Sequence, residues 1–249
     1  MRPPILDFDA TRDAVIDPIA PDIAVPDRAV LTWFSEVIDK LDGEVVHTIK
    51  LESAEQRLLV VEQDDGQKVL VAEMGVGAPL ATVVLETVIA MGVTKLVAVG
   101  SSGGLVAGAT PGSVIIPTEG IRDEGTSYHY LPPDAPAKPS EAAQRAIVGV
   151  HRDRGVIYSR ARTWTTDAFL RETMSKIRQR TAQGCVCVDM EASALYAVAE
   201  FRGVELGQIL YIADTLSGGE WESEHLVTPL GGVRKRLFDL AVESALAIP

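Results

Sequence analysis

Short apolar runs alternate with amphipathic stretches along most of the chain. Runs rich in β-branched residues predict strands at 29–34, 58–62, 69–74, 95–99, 113–117, 155–163, 185–188 and 208–213. Apolar positions at helical spacing predict helices at 35–41, 79–91, 141–154, 168–182, 192–202 and 230–247. Strands that alternate with helices favour an α/β fold, in which helices cover both faces of a mixed or parallel sheet.

Proline and glycine mark the limits of this pattern. Residues 1–27 are rich in proline, and we predict an extended arm or a tail that wraps a neighbouring subunit. The run DDG at 64–66 predicts a hairpin turn between two strands. The segment LPPDAPAKP at 131–139 predicts a loop, either a surface excursion or a rim over a site. No linker or internal repeat divides residues 28–249, so we predict one domain there.

The charge balance disfavours one large class of partners. The chain has 23 basic and 35 acidic residues and a formal net charge of -12, which opposes binding to nucleic-acid backbones. Hydrophobic residues make up 47%, as in a globular protein, yet no apolar run is long enough to span a bilayer. The N-terminus lacks the apolar core of a secretory signal. We therefore expect neither a nucleic-acid partner nor a membrane.

The cysteines and histidines give no sign of a metal site. The only cysteines are Cys185 and Cys187, and their spacing matches no zinc or redox motif. In a regular strand both thiols would point to the same face, and we expect small core residues in a reducing cytoplasm. The 4 histidines show no ligand spacing, so we expect no metal.

Two glycine-rich segments lie beside predicted strands, at the edge of an α/β sheet where ligands bind. They are GVGAP at 75–79 and GSSGG at 100–104. Small residues let backbone N–H groups approach an anion or a sugar oxygen. Neither segment has the spacing of a dinucleotide fingerprint or a P-loop, and each is also compatible with an ordinary tight turn.

Acidic residues follow two of the predicted strands. Asp189 and Glu191 flank Met190 between a strand and a helix. Buried carboxylates need partners, and either sugar hydroxyls or the backbone N–H groups of a helix N-terminus would supply them. Asp214 ends the apolar strand QILYIA. It is either a general acid with a raised pKa or a turn residue.

These segments resemble the nucleoside phosphorylase family, which includes uridine phosphorylase, bacterial purine nucleoside phosphorylase and methylthioadenosine nucleosidase. The matching segments are GVGAP at 75–79, GSSGGL at 100–105, GSVIIPTEGIRDEG at 112–125, TTDAF at 165–169, VDMEASAL at 188–195 and IAD at 212–214. The resemblance implies a curved mixed sheet surrounded by helices, with a site completed by a neighbouring subunit. It also implies cleavage of the C1′–N bond of a nucleoside through an oxocarbenium-like sugar, by phosphate in phosphorylases and by water in nucleosidases.

The resemblance also implies roles for single residues. Glu191 matches the glutamate that binds the ribose 2′- and 3′-hydroxyls, and Met190 matches the methionine beneath the sugar. Asp189 stands in place of the first acid of an E-M-E form, and Phe169 matches the aromatic residue that stacks on the base. Asp214 matches the aspartate with which purine-acting members protonate N7 of the leaving base. Uridine phosphorylases lack that aspartate, so we expect a purine nucleoside.

The nucleophile pocket departs from the pattern of the phosphorylases. Ser101 and the backbone of Gly77 match residues of that pocket. Two family arginines that hold phosphate are replaced by Ala98 and Val37. Each missing charge-assisted contact to a dianion costs on the order of 1.5–3 kcal/mol. Glu36 lies within two residues of the glutamate with which nucleosidases activate water.

We therefore predict a nucleoside phosphorylase that releases a free base and a pentose 1-phosphate. Phosphate is its co-substrate, and we expect no other cofactor. A third phosphate arginine, which the family lends from a neighbouring subunit, falls near Arg57. We expect a homo-oligomer, either a dimer or a trimer of dimers. A hydrolytic nucleosidase and a non-catalytic nucleoside-binding protein are the alternatives.

Overall fold

A mixed sheet of 9 strands forms the centre of the computed structural model, which describes residues 3–18, 20–52, 54–223 and 231–249. The strands are β1 (Arg28–Thr32), β2 (Gly43–Leu51), β3 (Ala54–Glu62), β4 (Lys68–Glu73), β5 (Lys95–Gly104), β6 (Val114–Asp123), β7 (Ser159–Thr166), β8 (Cys185–Asp189) and β9 (Glu205–Thr215). They follow the order β2-β3-β4-β1-β5-β8-β7-β6-β9, and β5 also pairs with β9. Because of this additional pairing, strands β5, β8, β7, β6 and β9 form a closed ring, and the sheet is strongly curved, as predicted.

Helices cover both faces of the sheet. They are α1 (Ser35–Ile38), α2 (Ala78–Ala90), α3 (Glu141–Asp153), α4 (Met174–Ala182), α5 (Ala192–Arg202) and α6 (Val233–Leu246). Within β1, Leu31 packs with residues of α2 and α5, whereas Val30 packs with residues of α3 and α6. Alternate residues of a central strand thus enter opposite cores, which explains its unbroken apolar run. The predicted α/β fold is confirmed. Among the described residues, no helix combines the length and apolarity needed to cross a membrane.

The edge strand β2 is absent from the elements that the sequence predicts. Most of its residues are exposed or half-buried, and Ile49 is the one residue of the strand that is buried. An edge strand with one solvated face needs few apolar residues, so its sequence lacks the signal that marks the central strands. The hairpin predicted at 64–66 is confirmed, because β3 and β4 pair in antiparallel fashion across it.

Two predicted boundaries are wrong in ways that affect the site. The strand predicted at 95–99 continues through the glycine-rich segment, so residues 100–104 are strand and not a turn. The helix predicted at 168–182 divides into a 3-10 helix (Phe169–Arg171) and α4. The Thr173 hydroxyl accepts the N–H of Lys176 and caps a new helix start, which separates the two parts.

The ends of the chain agree in part with the sequence pattern. The predicted C-terminal helix begins later, at Val233, and residues 224–230 lie outside the described residues. In the described part of the arm, the one regular element is a 3-10 helix (Pro4–Leu6). The arm packs on its own chain, because Arg202 donates to the Arg12 carbonyl at 3.2 Å and the Arg12 guanidinium lies over the Phe201 ring.

The two cysteines do not share a face, contrary to the expectation for a regular strand. Both are free and buried, but Cys185 packs with Trp164 and Ile177 whereas Cys187 packs with residues of another cluster. The pairing of β7 with β8 shifts register between these positions, which makes Val186 an extra residue. An extra residue of this kind breaks the alternation of side chains along a strand.

Candidate active site

A cavity of about 690 Å³ opens where β5, β8 and β9 end. Its walls are Trp33, Val76, Gly100, Ser101, Ser102, Gly103, Phe169, Leu170, Glu172, Val188, Asp189, Met190, Glu191, Gln208, Leu210, Asp214, Leu216 and Trp221. Six of the predicted site residues are in this set, namely Ser101, Phe169, Asp189, Met190, Glu191 and Asp214. The seventh, Gly77, is not among the lining residues and reaches the cavity through Glu191.

Glu191 joins the GVGAP turn to the start of α5. Its Oε1 accepts the N–H of Gly77 at 2.6 Å. Gly77 has a φ of +94°, a conformation that suits glycine and aims this N–H at the carboxylate. Burial, together with the charge of Asp189, raises the pKa of Glu191 to about 8. The folded chain therefore favours the protonated form of Glu191 more than water does, and a positive charge nearby favours the ionised form.

Asp189 is engaged by the protein on both oxygens. Its Oδ1 accepts the N–H groups of Glu191 at 2.8 Å and Ala192 at 2.7 Å. Its Oδ2 accepts the hydroxyl of Thr163 at 2.5 Å. Burial raises the pKa of Asp189, while these bonds favour its ionised form. Two of these donors are backbone N–H groups at the helix N-terminus, although the N-cap position itself is Glu191. Asp189 thus holds the turn that carries Glu191.

Asp214 reaches the cavity through a β-bulge. The register of β5 with β9 shifts from Ser102 opposite Ile212 to Gly103 opposite Asp214, which leaves Ala213 as the extra residue. A bulge redirects the side chains that follow it. The Oδ2 of Asp214 accepts the indole N–H of Trp221 at 2.7 Å. Burial raises the pKa of Asp214, and the indole bond lowers it in part.

Trp33, Glu172 and Trp221 line the cavity but are absent from the sequence-based prediction. The Trp33 indole donates to the Gly75 carbonyl at 2.9 Å and packs on Gly100, where an added Cβ would lie 3.0 Å from the ring. One signal was available for Trp33, because it lies near the end of the strand predicted at 29–34. Glu172 gave none, since it falls inside a stretch predicted as one continuous helix.

The described lining of the cavity contains four carboxylates and no Lys, Arg or His. Ala98 and Val37, which replace the family arginines, are buried in the core. Arg57 pairs with Glu73 at 2.6 Å and with Asp39 at 2.8 Å. The charge that would hold a phosphate dianion is thus missing from the described walls of the cavity.

Two other sequence candidates lie outside these walls. Glu36 forms an ion pair with Arg234 at 2.9 Å and does not line the cavity. The loop at 131–139 is also absent from the lining, and the guanidinium of Arg122 donates to three of its carbonyl oxygens. Across the described ranges, no three His, Cys, Asp or Glu side chains are grouped in a way that could hold a metal ion.

Comparison with known proteins gives matches over most of the chain. A family model described as the phosphorylase superfamily matches residues 28–245. The guanosine phosphorylase of Halorubrum lacusprofundi is 26% identical over 155 residues, which span 62% of this chain and 64% of the relative, just under two thirds of its length.

Solved structures of the same kind superpose on the chain. The uridine phosphorylase of Vibrio fischeri ES114 has a TM-score of 0.76 at 20% identity, over 94% of this chain and 98% of that one. The AMP nucleosidase of Bacteroides thetaiotaomicron VPI-5482 has a TM-score of 0.69 at 23% identity, over 89% of this chain and 88% of that one. At these identities the similarity shows a common fold alone.

Proposed function

The chain belongs to the phosphorylase superfamily, and from that premise we propose that it cleaves the N-glycosidic bond of a purine nucleoside. The similar proteins include a guanosine phosphorylase and a uridine phosphorylase, so the family leaves the base open. The observation that carries the proposal is Asp214, a half-buried carboxyl group that lines the cavity. A departing purine anion needs a proton, and burial of Asp214 favours the protonated form that supplies it.

We propose that Glu191 binds the ribose 2′- and 3′-hydroxyls, that Met190 packs beneath the ring and that Phe169 stacks on the base. As the C1′–N bond lengthens, positive charge develops on the sugar and strengthens its interaction with ionised Glu191. Asp189 supports this step indirectly, because its carboxylate accepts the backbone N–H groups of Glu191 and Ala192 and so fixes the turn that carries Glu191.

We propose phosphate as the nucleophile, with a pentose 1-phosphate as the second product and no other cofactor. The guanosine phosphorylase relative supports this choice. Ser101 and the small residues around it leave room for an anion beside the sugar. One observation favours water as a second candidate, since the described lining contains no cationic side chain. The two nucleophiles give different sugars, which makes them separable in one assay.

Incubation with inosine is expected to yield hypoxanthine and ribose 1-phosphate only when phosphate is present. Product sugars are identified by chromatography in phosphate-containing and phosphate-free buffers, with the Asp214→Asn variant as the background control. Release of free ribose at the same rate in both buffers would show that the reaction is hydrolysis and not phosphorolysis. No cleavage of any purine or pyrimidine nucleoside in either buffer would leave the non-catalytic binding protein as the remaining alternative.

Phosphorolysis in this cavity requires a cation from outside the described walls. Four carboxylates line the cavity, and a phosphate dianion beside them is opposed by charge. We therefore propose that a second copy of the chain completes the site, in a dimer or a trimer of dimers. Light scattering is expected to show an oligomer at assay concentrations. A monomer with full phosphorolytic activity would contradict the shared site.

A further inference from the structure

The Trp33 side chain continues the contact between β1 and β4 beyond the point where their backbone pairing ends. The last backbone bond joins the N–H of Met74 to the Thr32 carbonyl at 2.9 Å. The following residues are joined by a side chain, because the Trp33 indole N–H donates to the Gly75 carbonyl at 2.9 Å. The same ring packs on Gly100 of β5, where an added Cβ would lie 3.0 Å from it. Trp33 therefore lies between the GVGAP turn and the glycine-rich end of β5.

The GVGAP turn depends on other segments for its position. Gly75 has no side chain of its own, and an added Cβ there would overlap the side chain of Leu80. Gly77 precedes α2 without a side-chain cap. In the described ranges, only two side chains form hydrogen bonds with residues 75–77. Trp33 donates to the Gly75 carbonyl, and Glu191 accepts the N–H of Gly77 at 2.6 Å. The turn is thus held between an indole and a carboxylate.

We propose that Trp33 is a positioning residue for Glu191, because it holds the turn whose N–H orients the Glu191 carboxylate. The proposal rests on the proposed function, in which Glu191 binds the ribose 2′- and 3′-hydroxyls. Gly75 and Gly77 are separated by one residue, so a shift of the Gly75 carbonyl moves the N–H of Gly77 as well. A group that contacts two hydroxyls at once must be placed accurately, and such placement comes from the residues that support it. This role requires no contact between Trp33 and the substrate.

The test is the ratio of kcat/KM for inosine to kcat/KM for 2′-deoxyinosine in the wild type and in Trp33→Phe. The substitution removes the indole N–H and keeps an aromatic ring beside Gly100. The two substrates share the base and differ only in the 2′-hydroxyl, so a change that acts on the base or on the fold alone affects both alike. In Trp33→Phe the ratio is expected to fall about fivefold, the usual net contribution of one hydrogen bond.

The matched control removes the same atom from another part of the chain. The Trp164 indole N–H donates to Asp123 at 3.0 Å, and Trp164 is not among the described residues that line the cavity. Trp164→Phe is expected to lower Tm and to keep the wild-type ratio.

A double-variant cycle tests whether Trp33 acts through Glu191. Glu191→Ala removes the carboxylate that Trp33 is proposed to orient, so Trp33→Phe is expected to leave the ratio unchanged in that background. Coupling of this kind is the signature of two residues that act as a unit.

The outcomes separate this proposal from the function beneath it. A wild type that cleaves inosine, together with an unchanged ratio in Trp33→Phe, would overturn the role of Trp33 and leave the proposed function standing. A fivefold fall that persists in the Glu191→Ala background would also overturn the role, because Trp33 would then act by another route. A wild type that cleaves both nucleosides equally well would eliminate the Glu191 contact and the role of Trp33 with it. A wild type that cleaves no nucleoside would overturn both the role and the proposed function.

Discussion

The Asp214→Asn variant is expected to cleave inosine about 10²–10⁴-fold more slowly than the wild type, the usual contribution of general acid catalysis. Asn keeps the shape of the side chain, and its amide oxygen still accepts the indole N–H of Trp221. It has no mobile proton to donate, so hypoxanthine would have to depart as an anion. The measurement is kcat/KM for inosine in phosphate buffer.

A second substrate separates acid catalysis from support of the fold. 7-Methylguanosine carries a base that departs neutral without a proton, so its cleavage is expected to be much less affected by Asp214→Asn. Equal losses on the two substrates would mean that Asp214 only supports the structure. A wild type that prefers uridine and is insensitive to this change would overturn the purine assignment.

The Glu191→Gln variant is expected to lose at least tenfold in kcat/KM, and about a hundredfold if both hydroxyl contacts weaken. Gln still accepts the N–H of Gly77, but it cannot carry the negative charge that binds more strongly as the sugar becomes positive. Glu200→Gln makes the same chemical change at the exposed end of the same helix and serves as the matched control. Wild-type activity in Glu191→Gln would eliminate the proposed sugar contact.

Thermal unfolding supplies an independent measure of the same substitution. The pKa of Glu191 is raised from 4.5 to about 8 in the folded chain, so the folded state holds a proton that the unfolded state releases. The free energy of unfolding that Glu191 contributes is therefore highest at low pH and falls as pH rises through this range. Gln does not titrate, so its contribution stays constant. The Tm of Glu191→Gln is therefore expected to rise relative to that of the wild type as the pH increases from 6 to 8. A constant difference across that range would show that Glu191 is not the group that titrates.

Much of the fold was predictable because its central elements are apolar over unbroken stretches. The helix predicted at 192–202 has the observed limits, and the helix at 79–91 is displaced by one residue. β1, β4 and β5 were recognisable because helices bury both faces of these strands. The exposed edge strand β2 was not, since its pairing with β3 depends on backbone hydrogen bonds rather than on an apolar side-chain pattern.

The six ordered segments contain most of the candidate site, because turns and acidic residues between apolar runs can be recognised from the sequence alone. The order of chain segments says little about the orientation of a side chain. Trp33 and Trp221 both line the cavity although they are far apart in the sequence. The Trp33 indole bonds to the Gly75 carbonyl, 42 residues away, whereas the Trp221 indole bonds to Asp214, 7 residues away. Neither partner can be identified without the fold.

The sequence by itself determined the α/β architecture, the family and most of the segments that line the cavity, because burial and turn formation are encoded in neighbouring residues. The tertiary structure decided how the acids differ from one another. Asp189 accepts two backbone N–H groups and the Thr163 hydroxyl, Asp214 is redirected by a bulge and bonds to an indole, and Glu172 lines the cavity from the end of the 3-10 helix. These differences arise from burial and from donors that only the folded chain brings to each carboxyl group, and both change its pKa.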